Sequence, residues 1–329
     1  MIYVMGDIHG RIDLFNKMLE QINLQAGDKL YILGDTIDRG GGLQVLLKIM
    51  ELNEKGLCEL LLGNHEYIFL ENNINHLDNS VVADYQKEVL KRTIHNKNNP
   101  CKTDDKKKSD TLLSAMAGFI VSLKKLSDTL DNNYAIQYYQ EKIDNSLAST
   151  EICHDADEWE TFKDLKYLTH EKRIDLSLFL ANLEIEKYIE IGDKSYLLLH
   201  GGLCKSEENG QPSLSQLFVR DDFYMHPVDK SILKSRGYRA DTVVVFGHTT
   251  TRDINILKNG TYIAPNKIWY DTDNNDKIGV DCGACYPNGQ LACLRLDDMQ
   301  EFYVINEQNI ITPTEKISQI FAEVSKQPE

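Results

Sequence analysis

Three short apolar segments near the start of the chain each end in a glycine followed by a polar residue that can bind a metal ion. The segments cover residues 2–5, 29–33 and 58–62. The polar residues are Asp7, Asp35 and Asn64, spaced by 28 and 29 residues, which is about the length of a strand–helix–strand unit. Because open α/β sheets bind ligands beyond the carboxyl ends of their strands, this spacing predicts that the polar side chains lie along such an edge.

The rest of the chain divides into a helical middle and a strand-rich end. Between residues 76 and 187 glycine nearly disappears and apolar residues recur with helical spacing, interrupted by a polar, lysine-containing loop at residues 96–108. Strand patterns return at residues 188–191, 195–200, 242–246, 268–271, 278–281, 291–296 and 301–305. Their close spacing predicts antiparallel pairing, and residues 313–324 predict a terminal helix.

Composition restricts the class of function. The chain has 329 residues, 42% of them hydrophobic, so it can bury a substantial core. The net charge of −15 disfavours binding to nucleic acids or anionic membranes, because like charges repel. Seven scattered cysteines argue against a disulfide framework. The N-terminal residues lack the pattern of a secretion signal and no apolar segment is long enough to span a bilayer, so we expect a cytoplasmic protein.

Three histidines extend the polar set to six metal-type residues. His9 follows Asp7 closely, whereas His200 and His248 stand at the ends of later strands, each beside a glycine. Taken singly, each has a structural explanation, since Asp7 can cap a helix and His200 or His248 can be a buried core histidine. All six nevertheless fall at strand ends or glycine turns, which favours a metal centre. The six residues are Asp7, His9, Asp35, Asn64, His200 and His248.

Five motifs containing these residues resemble those of a known family. They are GDIHG at residues 6–10, GDTIDRG at 34–40, GNHE at 63–66, HGG at 200–202 and GH at 247–248. The series resembles that of the phosphoprotein phosphatase branch of the calcineurin-like metallophosphoesterases, which includes serine/threonine protein phosphatases and symmetrical dinucleoside tetraphosphatases. The resemblance implies an α/β fold, a four-layer α/β/β/α sandwich with mixed sheets and a helical insertion.

The same resemblance divides the chain into three parts. Residues 1–75 and 188–305 would form the metallophosphoesterase catalytic domain. Residues 76–187 would form a helical insertion that caps the site or docks a partner, and residues 306–329 a C-terminal helix and tail. The insertion matches no motif that would choose between a cap and a docking region.

The resemblance also implies how the matched residues bind metal. The first ion would be held by Asp7, His9 and Asp35. The second would be held by Asp35, Asn64, His200 and His248, with Asp35 bridging the two ions. Asn64 is also expected to contact the phosphate. Mixed nitrogen and oxygen ligands suit manganese, with iron, zinc or cobalt as alternatives, and two such ions activate a shared water for attack on phosphorus.

Four further residues would act on the substrate. His65 would be the general acid that protonates the leaving group, with Asp38 orienting its imidazole. Arg39 would bind the phosphate through paired N–H donors. Residues 217–223 resemble the segment that supplies a second arginine in bacterial relatives, which assigns Arg220 to the phosphate. A surface arginine paired with a neighbouring aspartate is the alternative for Arg220.

Three other charged residues have weaker assignments. Arg11 and Arg252 are secondary candidates for the phosphate, and Arg11 is expected at the rim of the site. Glu66 is expected to begin a helix, where its carboxylate interacts favourably with the helix dipole.

Together these residues predict a metal-dependent phosphatase, in the first instance a serine/threonine protein phosphatase that hydrolyses phosphomonoesters. A symmetrical bis(5'-nucleosyl)-tetraphosphatase is the alternative, since the same two ions serve a different leaving group. A binding module without catalysis would lack a ligand, the acid or an arginine, and none is missing from the sequence. The acidic composition argues against a nuclease. The expected partner is a phosphoprotein or a small phosphorylated or nucleotide substrate.

Overall fold

Helices and strands alternate at the start of the chain, and strands dominate after residue 185. The computed structural model describes residues 1–74, 160–161, 164–165, 167–204, 212–260 and 265–307. The strands are β1 Ile2–Met5, β2 Lys29–Ile32, β3 Cys58–Leu60, β4 Glu186–Ile191, β5 Lys194–Leu199, β6 Val243–Phe246, β7 Trp269–Tyr270, β8 Lys277–Gly279, β9 Gln290–Arg295 and β10 Gln300–Ile305. The helices are α1 Ile12–Ile22, α2 Gln44–Glu54, α3 Asn64–Ile74, α4 His170–Ala181, α5 Asp221–Met225, α6 Lys230–Ser235 and α7 Thr251–Asn259, with a short 3-10 helix at Leu214–Phe218.

The chain forms two compact units. One comprises Met1–Tyr67, Ala156–Leu165 and Leu183–Glu329, and the other comprises Ile68–Asp155 and Lys166–Asn182. Most of the predicted insertion at 76–187, and all of the predicted terminal helix at 313–324, lie outside the described residues, so the three-part division stays a prediction. Within the described ranges, no helix is both long and apolar enough to cross a membrane.

Two five-stranded mixed sheets form the first unit. The first sheet has the order β10-β9-β1-β2-β3. Strands β1, β2 and β3 are parallel, and β9 is antiparallel to both of its neighbours, β1 and β10. The second sheet has the order β4-β5-β6-β8-β7. Its central strands β5, β6 and β8 are parallel, and the outer strands β4 and β7 are antiparallel to their neighbours.

The antiparallel pairing predicted for the later strands is wrong for the centre of the second sheet. Close spacing in sequence suggested hairpins, but the connection from β5 to β6 contains α5 and α6, and that from β6 to β8 contains α7. These crossovers return the chain to the starting edge, as parallel pairing requires. Leu199 at the end of β5 is therefore paired with Phe246 at the end of β6, and the residues that follow both strands emerge at the same edge.

Alternating side chains in the central strands build two cores on opposite faces of the second sheet. In β5, Tyr196 and Leu198 join the core shared with the first sheet, which contributes residues such as Val4 and Leu33. Leu197 and Leu199 face the other way and pack in a core with α5, α6 and α7. The period of two that defines a strand thus packs the sheets face to face and covers the second sheet with helices.

Helices α1 and α2 cover the outer face of the first sheet. In α1 the buried residues Leu14, Phe15, Met18 and Ile22 recur with helical spacing, and the helix packs on β9 and β10, whereas α2 packs on β3. Helix α1 ends where Asn23 takes a left-handed conformation with φ 44° and its N–H donates to the Leu19 carbonyl oxygen. The layers are therefore helix, sheet, sheet and helix, which confirms the predicted four-layer α/β/β/α fold.

The core between the sheets yields a test of this packing. Leu198 is fully buried between the sheets, so Leu198→Ala should lower the free energy of unfolding by about 3 kcal/mol, through lost burial and a residual cavity. The measurement is urea denaturation followed by circular dichroism. Leu257→Ala is the matched control, because Leu257 is 51% exposed. Equal destabilisation by both substitutions would contradict the packing.

Candidate metal centre

The six predicted ligand residues meet at one edge of the first unit. Asp7 follows β1, Asp35 follows β2, and Asn64 begins α3 just after β3. In the second sheet, His200 directly follows β5 and His248 lies two residues beyond β6. The two sheet ends are joined by a hydrogen bond of 2.8 Å from the Gly247 N–H to the carbonyl oxygen of His200. All six predicted ligand residues are buried, none more than 8% exposed.

Two glycines permit the strand ends to approach each other. A Cβ atom on Gly34, where φ is +111°, would lie 2.5 Å from the Cα of Gly63. A Cβ atom on Gly247 would lie 2.5 Å from Oδ1 of Asp7. Any side chain at either position would push the loop that carries Asp35 or His248 away from its neighbours, so the close convergence of these loops requires glycine.

The carboxylate of Asp35 lies between two groups of histidines. Its Oδ2 is 3.8 Å from Nε2 of His9 and 3.9 Å from Nε2 of His65. Its Oδ1 is 3.4 Å from Nε2 of His200. Ligand-type atoms of His9, Asp35 and His65 lie within 4.8 Å of one another, as do those of Asp35, His200 and His248. One carboxylate thus serves two candidate cation positions.

Backbone hydrogen bonds fix the histidines in the tautomer that a metal needs. Nδ1 of His9 donates to the carbonyl oxygen of Ile37 at 3.1 Å, and Nδ1 of His200 donates to that of Leu33 at 2.9 Å. Each ring therefore keeps its lone pair on Nε2. Nε2 of His200 lies 2.8 Å from Oδ1 of Asn64, so a lone pair and an amide oxygen face one another, an arrangement that a cation resolves.

Two further observations show that the residues fit divalent cations. Nε2 of His248 is buried and has no hydrogen-bond partner among the residues that the structure describes, although an orphaned polar atom of this kind is costly. Asp7 and Asp281 are buried beside Asp35, and such carboxylates repel one another unless positive charge lies between them. Imidazole and carboxylate donors together suit Mn, Fe, Zn or Co.

His65 lies in a buried chain of hydrogen bonds. Its Nδ1 donates to Oδ2 of Asp38 at 2.6 Å. The other carboxylate oxygen of Asp38 accepts a hydrogen bond of 2.6 Å from the Thr161 hydroxyl, and the Asp38 N–H donates to the same hydroxyl oxygen at 3.1 Å. Asp38 is therefore held on both oxygens and on its backbone, and it fixes the orientation of the His65 ring.

Electrostatics divides the four histidines into two kinds. Burial lowers the pKa of His9 and of His200, and burial with nearby His200 and Arg220 lowers the pKa of His248 to about 2. These three rings are neutral at neutral pH, the form that binds metal. Burial also acts to lower the pKa of His65, but Asp35 and Asp38 outweigh it and raise that pKa to about 9. Of these four rings, His65 is thus the one that is protonated on both nitrogens at neutral pH.

The carboxylates are tuned in opposite directions. Burial raises the pKa of Asp7 well above its usual value, with help from Asp281 and Asp35. Burial alone would raise the pKa of Asp35 as well, but the surrounding histidines reverse that effect and lower it. Burial also raises the pKa of Asp281 to about 6. The carboxylate between the two histidine groups is therefore the one whose ionised form is most favoured.

The two predicted phosphate arginines act on different histidines of the centre. Nη1 of Arg39 is 2.9 Å from Nε2 of His9, and the guanidinium group also lies beside Tyr286. Arg220 is exposed at the start of α5, where its charge contributes to the lowered pKa values of His200 and His248. Arg39 therefore contacts the His9 side of the centre, whereas Arg220 is close enough for its charge to act on His200 and His248.

Sequence reasoning gave Glu66 too small a role. Glu66 does begin α3, but it is fully buried and its carboxylate accepts hydrogen bonds from the N–H groups of Asp35 and Thr36, at 2.8 and 2.7 Å, and from the Thr36 hydroxyl at 2.8 Å. It therefore holds the loop that carries Asp35. Burial and the nearby Asp35 charge raise the pKa of Glu66 to about 7.

Two other residues of the centre escaped the sequence analysis, and one assignment was wrong. Asp281 follows β8 just as Asp7 follows β1, and that shared signal could have revealed it. Thr161 stands in the stretch assigned to the insertion, where no motif marks it.

Arg11 does not lie at the rim: it is 4% exposed, donates to both carboxylate oxygens of Asp13 at 2.9 and 2.8 Å, and contacts the carbonyl oxygen of Ala284.

Backbone strain is concentrated at this site. Left-handed conformations are uncommon for residues with a side chain and cost about 1–3 kcal/mol each. Five residues of the centre adopt them: His9 (φ 47°), Asp35 (φ 50°), Asp38 (φ 68°), Arg39 (φ 57°) and His248 (φ 63°). The surrounding hydrogen bonds and packing must hold these residues in place, as expected where geometry serves chemistry rather than stability.

Histidines and carboxylates arranged around one shared aspartate form a candidate metal-binding site, and a comparison with known protein families identifies the family. Residues 1–280 match the sequence profile of the family described as "Calcineurin-like phosphoesterase". The chain belongs to this family of metallophosphoesterases. The predicted family resemblance is thereby confirmed at the level of the family.

Similarity to individual proteins is more local. The chain is 36% identical over 66 residues to a symmetrical bis(5'-nucleosyl)-tetraphosphatase of Vibrio campbellii, covering 20% of this chain and 24% of that protein. A protein of the same name from Cronobacter sakazakii is also 36% identical over 66 residues, covering 20% of this chain and 23% of that protein. The matched region thus spans about a quarter of these curated relatives.

Two solved structures align with most of the chain, at low sequence identity and low TM-score. The crystal structure of a putative diadenosine tetraphosphatase has a TM-score of 0.42 at 16% identity and covers 94% of each chain. That of a metallophosphoesterase from Sphaerobacter thermophilus has a TM-score of 0.40 at 12% identity and covers 99% of this chain and 97% of its own.

Thr161 offers a test of the hydrogen bonds behind His65. Thr161→Val keeps the shape but leaves the Asp38 N–H and one Asp38 carboxylate oxygen buried without their partner, so the free energy of unfolding should fall by about 1–3 kcal/mol. Urea denaturation measures the change, and Thr161→Ser, which retains the hydroxyl, is the matched control. A valine variant as stable as the serine variant would contradict the arrangement.

Proposed function

We propose that the protein is a phosphoesterase that uses two divalent metal ions and His65 as the general acid. The observation that carries this proposal is the Asp35 carboxylate, whose oxygens face a histidine group on each side. One ion would be held by Asp7, His9 and Asp35. The other would be held by Asp35, Asn64, His200 and His248. Bound there, the ions would neutralise phosphoryl oxygens and make a water acidic near neutral pH. Manganese is the proposed metal, with iron, zinc or cobalt as alternatives.

The protein's own residues supply the proton for the leaving group. His65 carries a proton at neutral pH because Asp35 and Asp38 raise its pKa to about 9. Asp38 accepts the Nδ1 hydrogen, so Nε2 is the nitrogen that presents a proton toward the centre. When the bond from phosphorus to the leaving oxygen breaks, that proton passes from Nε2 to the oxygen. Asp38 then stabilises the tautomer that remains.

Arg39 and Arg220 would orient the phosphoryl group. Arg39 contacts His9, and the charge of Arg220 acts on His200 and His248. A phosphate between them would accept hydrogen bonds from both guanidinium groups. Asn64 would contribute its side-chain amide from the start of α3. Fixing the phosphate at both ends aligns phosphorus with the attacking water and the leaving oxygen.

Phosphoserine or phosphothreonine in a protein is the first candidate substrate. The complete motif series and the two arginines support it. Two guanidinium groups suit the two negative charges of a phosphomonoester, and an alkoxide leaving group is helped by a general acid.

Diadenosine tetraphosphate and its analogues are the second candidate. The curated relatives named for this activity support it, although they share only the short matched region. The deciding experiment is a substrate panel with purified manganese-loaded protein, comparing phosphopeptides on serine, threonine and tyrosine with diadenosine tetraphosphate. If the manganese-loaded protein hydrolyses none of these substrates, the proposal is wrong.

Replacement of His65 tests its role as the acid. His65→Asn should lower kcat for an alkyl phosphate by about 10²–10⁴-fold, because the leaving oxygen then receives no proton from the protein. Metal content, measured by mass spectrometry, should stay at the wild-type level. His226→Asn is the matched control, since His226 is exposed. A wild-type kcat in His65→Asn would refute the assignment.

Replacement of Asp35 tests the metal centre apart from activity. Manganese should raise the melting temperature of the wild-type protein, because a ligand bound only by the folded state stabilises it. Asp35→Asn removes the charge between the histidine groups and should lose most of that rise. Asp241→Asn is the control, because Asp241 is exposed and outside the site. Equal manganese shifts in both variants would show that Asp35 does not hold the ions.

A further inference from the structure

A tyrosine ring next to the metal centre has two arginines against it. The guanidinium carbons of Arg39 and Arg252 each lie 5.7 Å from the centroid of the Tyr286 ring, within the range of a cation–π contact. The two cations are therefore separated by at most twice that distance. Two guanidinium groups beside one partly exposed ring, in a chain of net charge −15, form a local positive region. Arg39 is already assigned to the reacting phosphate, whereas the reaction at phosphorus does not by itself require Arg252.

Backbone hydrogen bonds hold this ring in place. The Tyr286 N–H donates to the carbonyl oxygen of Gly283 at 2.9 Å, and the Tyr286 carbonyl oxygen accepts from the N–H of Gly289 at 3.0 Å and from the side chain of Asn306 at 3.2 Å. The start of α7, which carries Arg252, is tied to the same loop because the Thr251 N–H donates to the Asp281 carbonyl oxygen at 2.8 Å. Ring and arginine are thus preorganised relative to one another.

Within the described residues, Arg252 has side-chain N–H groups without a hydrogen-bond partner, whereas Arg11, which lies near the same loop, does not. Arg11 is buried, and its guanidinium group donates hydrogen bonds to Asp13 and to the Ala284 carbonyl oxygen. The Arg252 side chain is 35% exposed, and its Nε donates to Asp253 at 3.1 Å. Its two terminal nitrogens have no hydrogen-bond partner in the described part of the chain, so paired donors remain available to an anion.

The position of Tyr286 connects these donors to the reaction centre. Arg39 contacts both the His9 ring and the Tyr286 ring, and Arg252 contacts Tyr286 as well. A substrate whose reacting phosphate is held by Arg39 can therefore place a second anionic group at Arg252. The Tyr286 ring then offers an aromatic surface beside it. A single phosphomonoester has no second phosphate to place there, whereas a nucleoside oligophosphate has both further phosphates and a flat base.

We propose that Tyr286 and Arg252 form a second subsite, which binds a non-reacting phosphate and the adjoining nucleoside of a dinucleoside oligophosphate. The inference rests on the proposed function and selects the second of its two substrate candidates. Water adds to one inner phosphorus of diadenosine tetraphosphate, the bond to the bridging oxygen breaks, and the departing ADP oxygen takes up a proton. Two ADP molecules result, and one of them leaves from the Tyr286–Arg252 subsite.

Substrate preference in single variants tests this subsite. The quantity measured is the ratio of kcat/KM for diadenosine tetraphosphate to kcat/KM for p-nitrophenyl phosphate, with full-length manganese-loaded protein. Arg252→Gln should lower that ratio about tenfold, because a charged hydrogen-bond donor pair is lost. Arg239→Gln is the matched control and should leave the ratio unchanged, since Arg239 is an exposed arginine paired with Asp241 away from the site.

The ring is tested separately from the charge. Tyr286→Leu should lower the same ratio about tenfold through the loss of base stacking, whereas Tyr286→Phe, which keeps the ring, should retain the preference. Binding of ADP measured by calorimetry gives a readout that does not depend on turnover, and Arg252→Gln should weaken it about tenfold.

The outcomes separate the two proposals. Failure of the wild-type protein to hydrolyse any phosphoester would defeat the proposed function, and the ADP titration would then still decide the subsite. Active wild-type protein with unchanged ratios and unchanged ADP affinity in Arg252→Gln and Tyr286→Leu would overturn the subsite alone. The subsite would also be overturned if these variants lost kcat/KM only for phosphopeptides with acidic flanking residues. That result would favour a protein substrate.

Discussion

The structure of the site depends on one buried carboxylate, that of Asp35. Its two oxygens face different histidine groups, so its position sets the distance between the two candidate cation positions. Glu66 holds the Asp35 loop through two N–H groups and a hydroxyl. Gly34 and Gly63 let that loop approach the end of β3. The Glu66 hydrogen bonds and the close approach of the two glycines together fix the position of Asp35, as a site requires when small displacements cost large factors in rate.

Two hydrogen bonds near Asp35 join the two sheets. His200 hydrogen-bonds through Nδ1 to the carbonyl oxygen of Leu33, at the end of the neighbouring sheet. The His248 N–H donates to Oδ1 of Asp7 at 3.0 Å, again from one sheet to the other. These bonds close the edge of the core that Leu198, Val245 and Leu33 fill. Because the core sets how the sheets face one another, packing far from the ligands determines whether the histidines reach Asp35.

Sequence reasoning succeeded where chemistry and local structure coincide. Asp7, Asp35 and Asn64 each follow an apolar strand and a glycine, so their type, spacing and neighbours all indicated the same edge of a sheet. It failed where the relevant interaction is distant. The parallel pairing of β5 with β6 depends on what the crossover helices cover. Thr161 reaches Asp38 across 123 residues, and a lone threonine in a polar stretch has no pattern that announces such a partner.

The burial of Glu66 illustrates a further limit of sequence. A carboxylate in the first turn of a helix is stabilised by exposed N–H groups, and on that ground alone Glu66 needs no other explanation. Only the fold shows that the N–H groups it accepts from belong to Asp35 and Thr36. The same residue type at the same helix position therefore serves either the helix or a neighbouring loop, and tertiary packing decides which.

Strain and charge at the centre oppose the stability of the fold. Residues such as Asp38 and His248 keep left-handed conformations, buried acids such as Asp7 and Asp281 repel one another, and Arg39 and Arg252 share one ring. The backbone strain and the repulsion between like charges are unfavourable in the protein alone, and bound groups of opposite charge would relieve the repulsion. Cations would offset the carboxylates, and an anionic substrate would offset the guanidinium groups. On the proposed function, the same groups that make the centre costly to fold would make it complementary to a metal-bound phosphate ester.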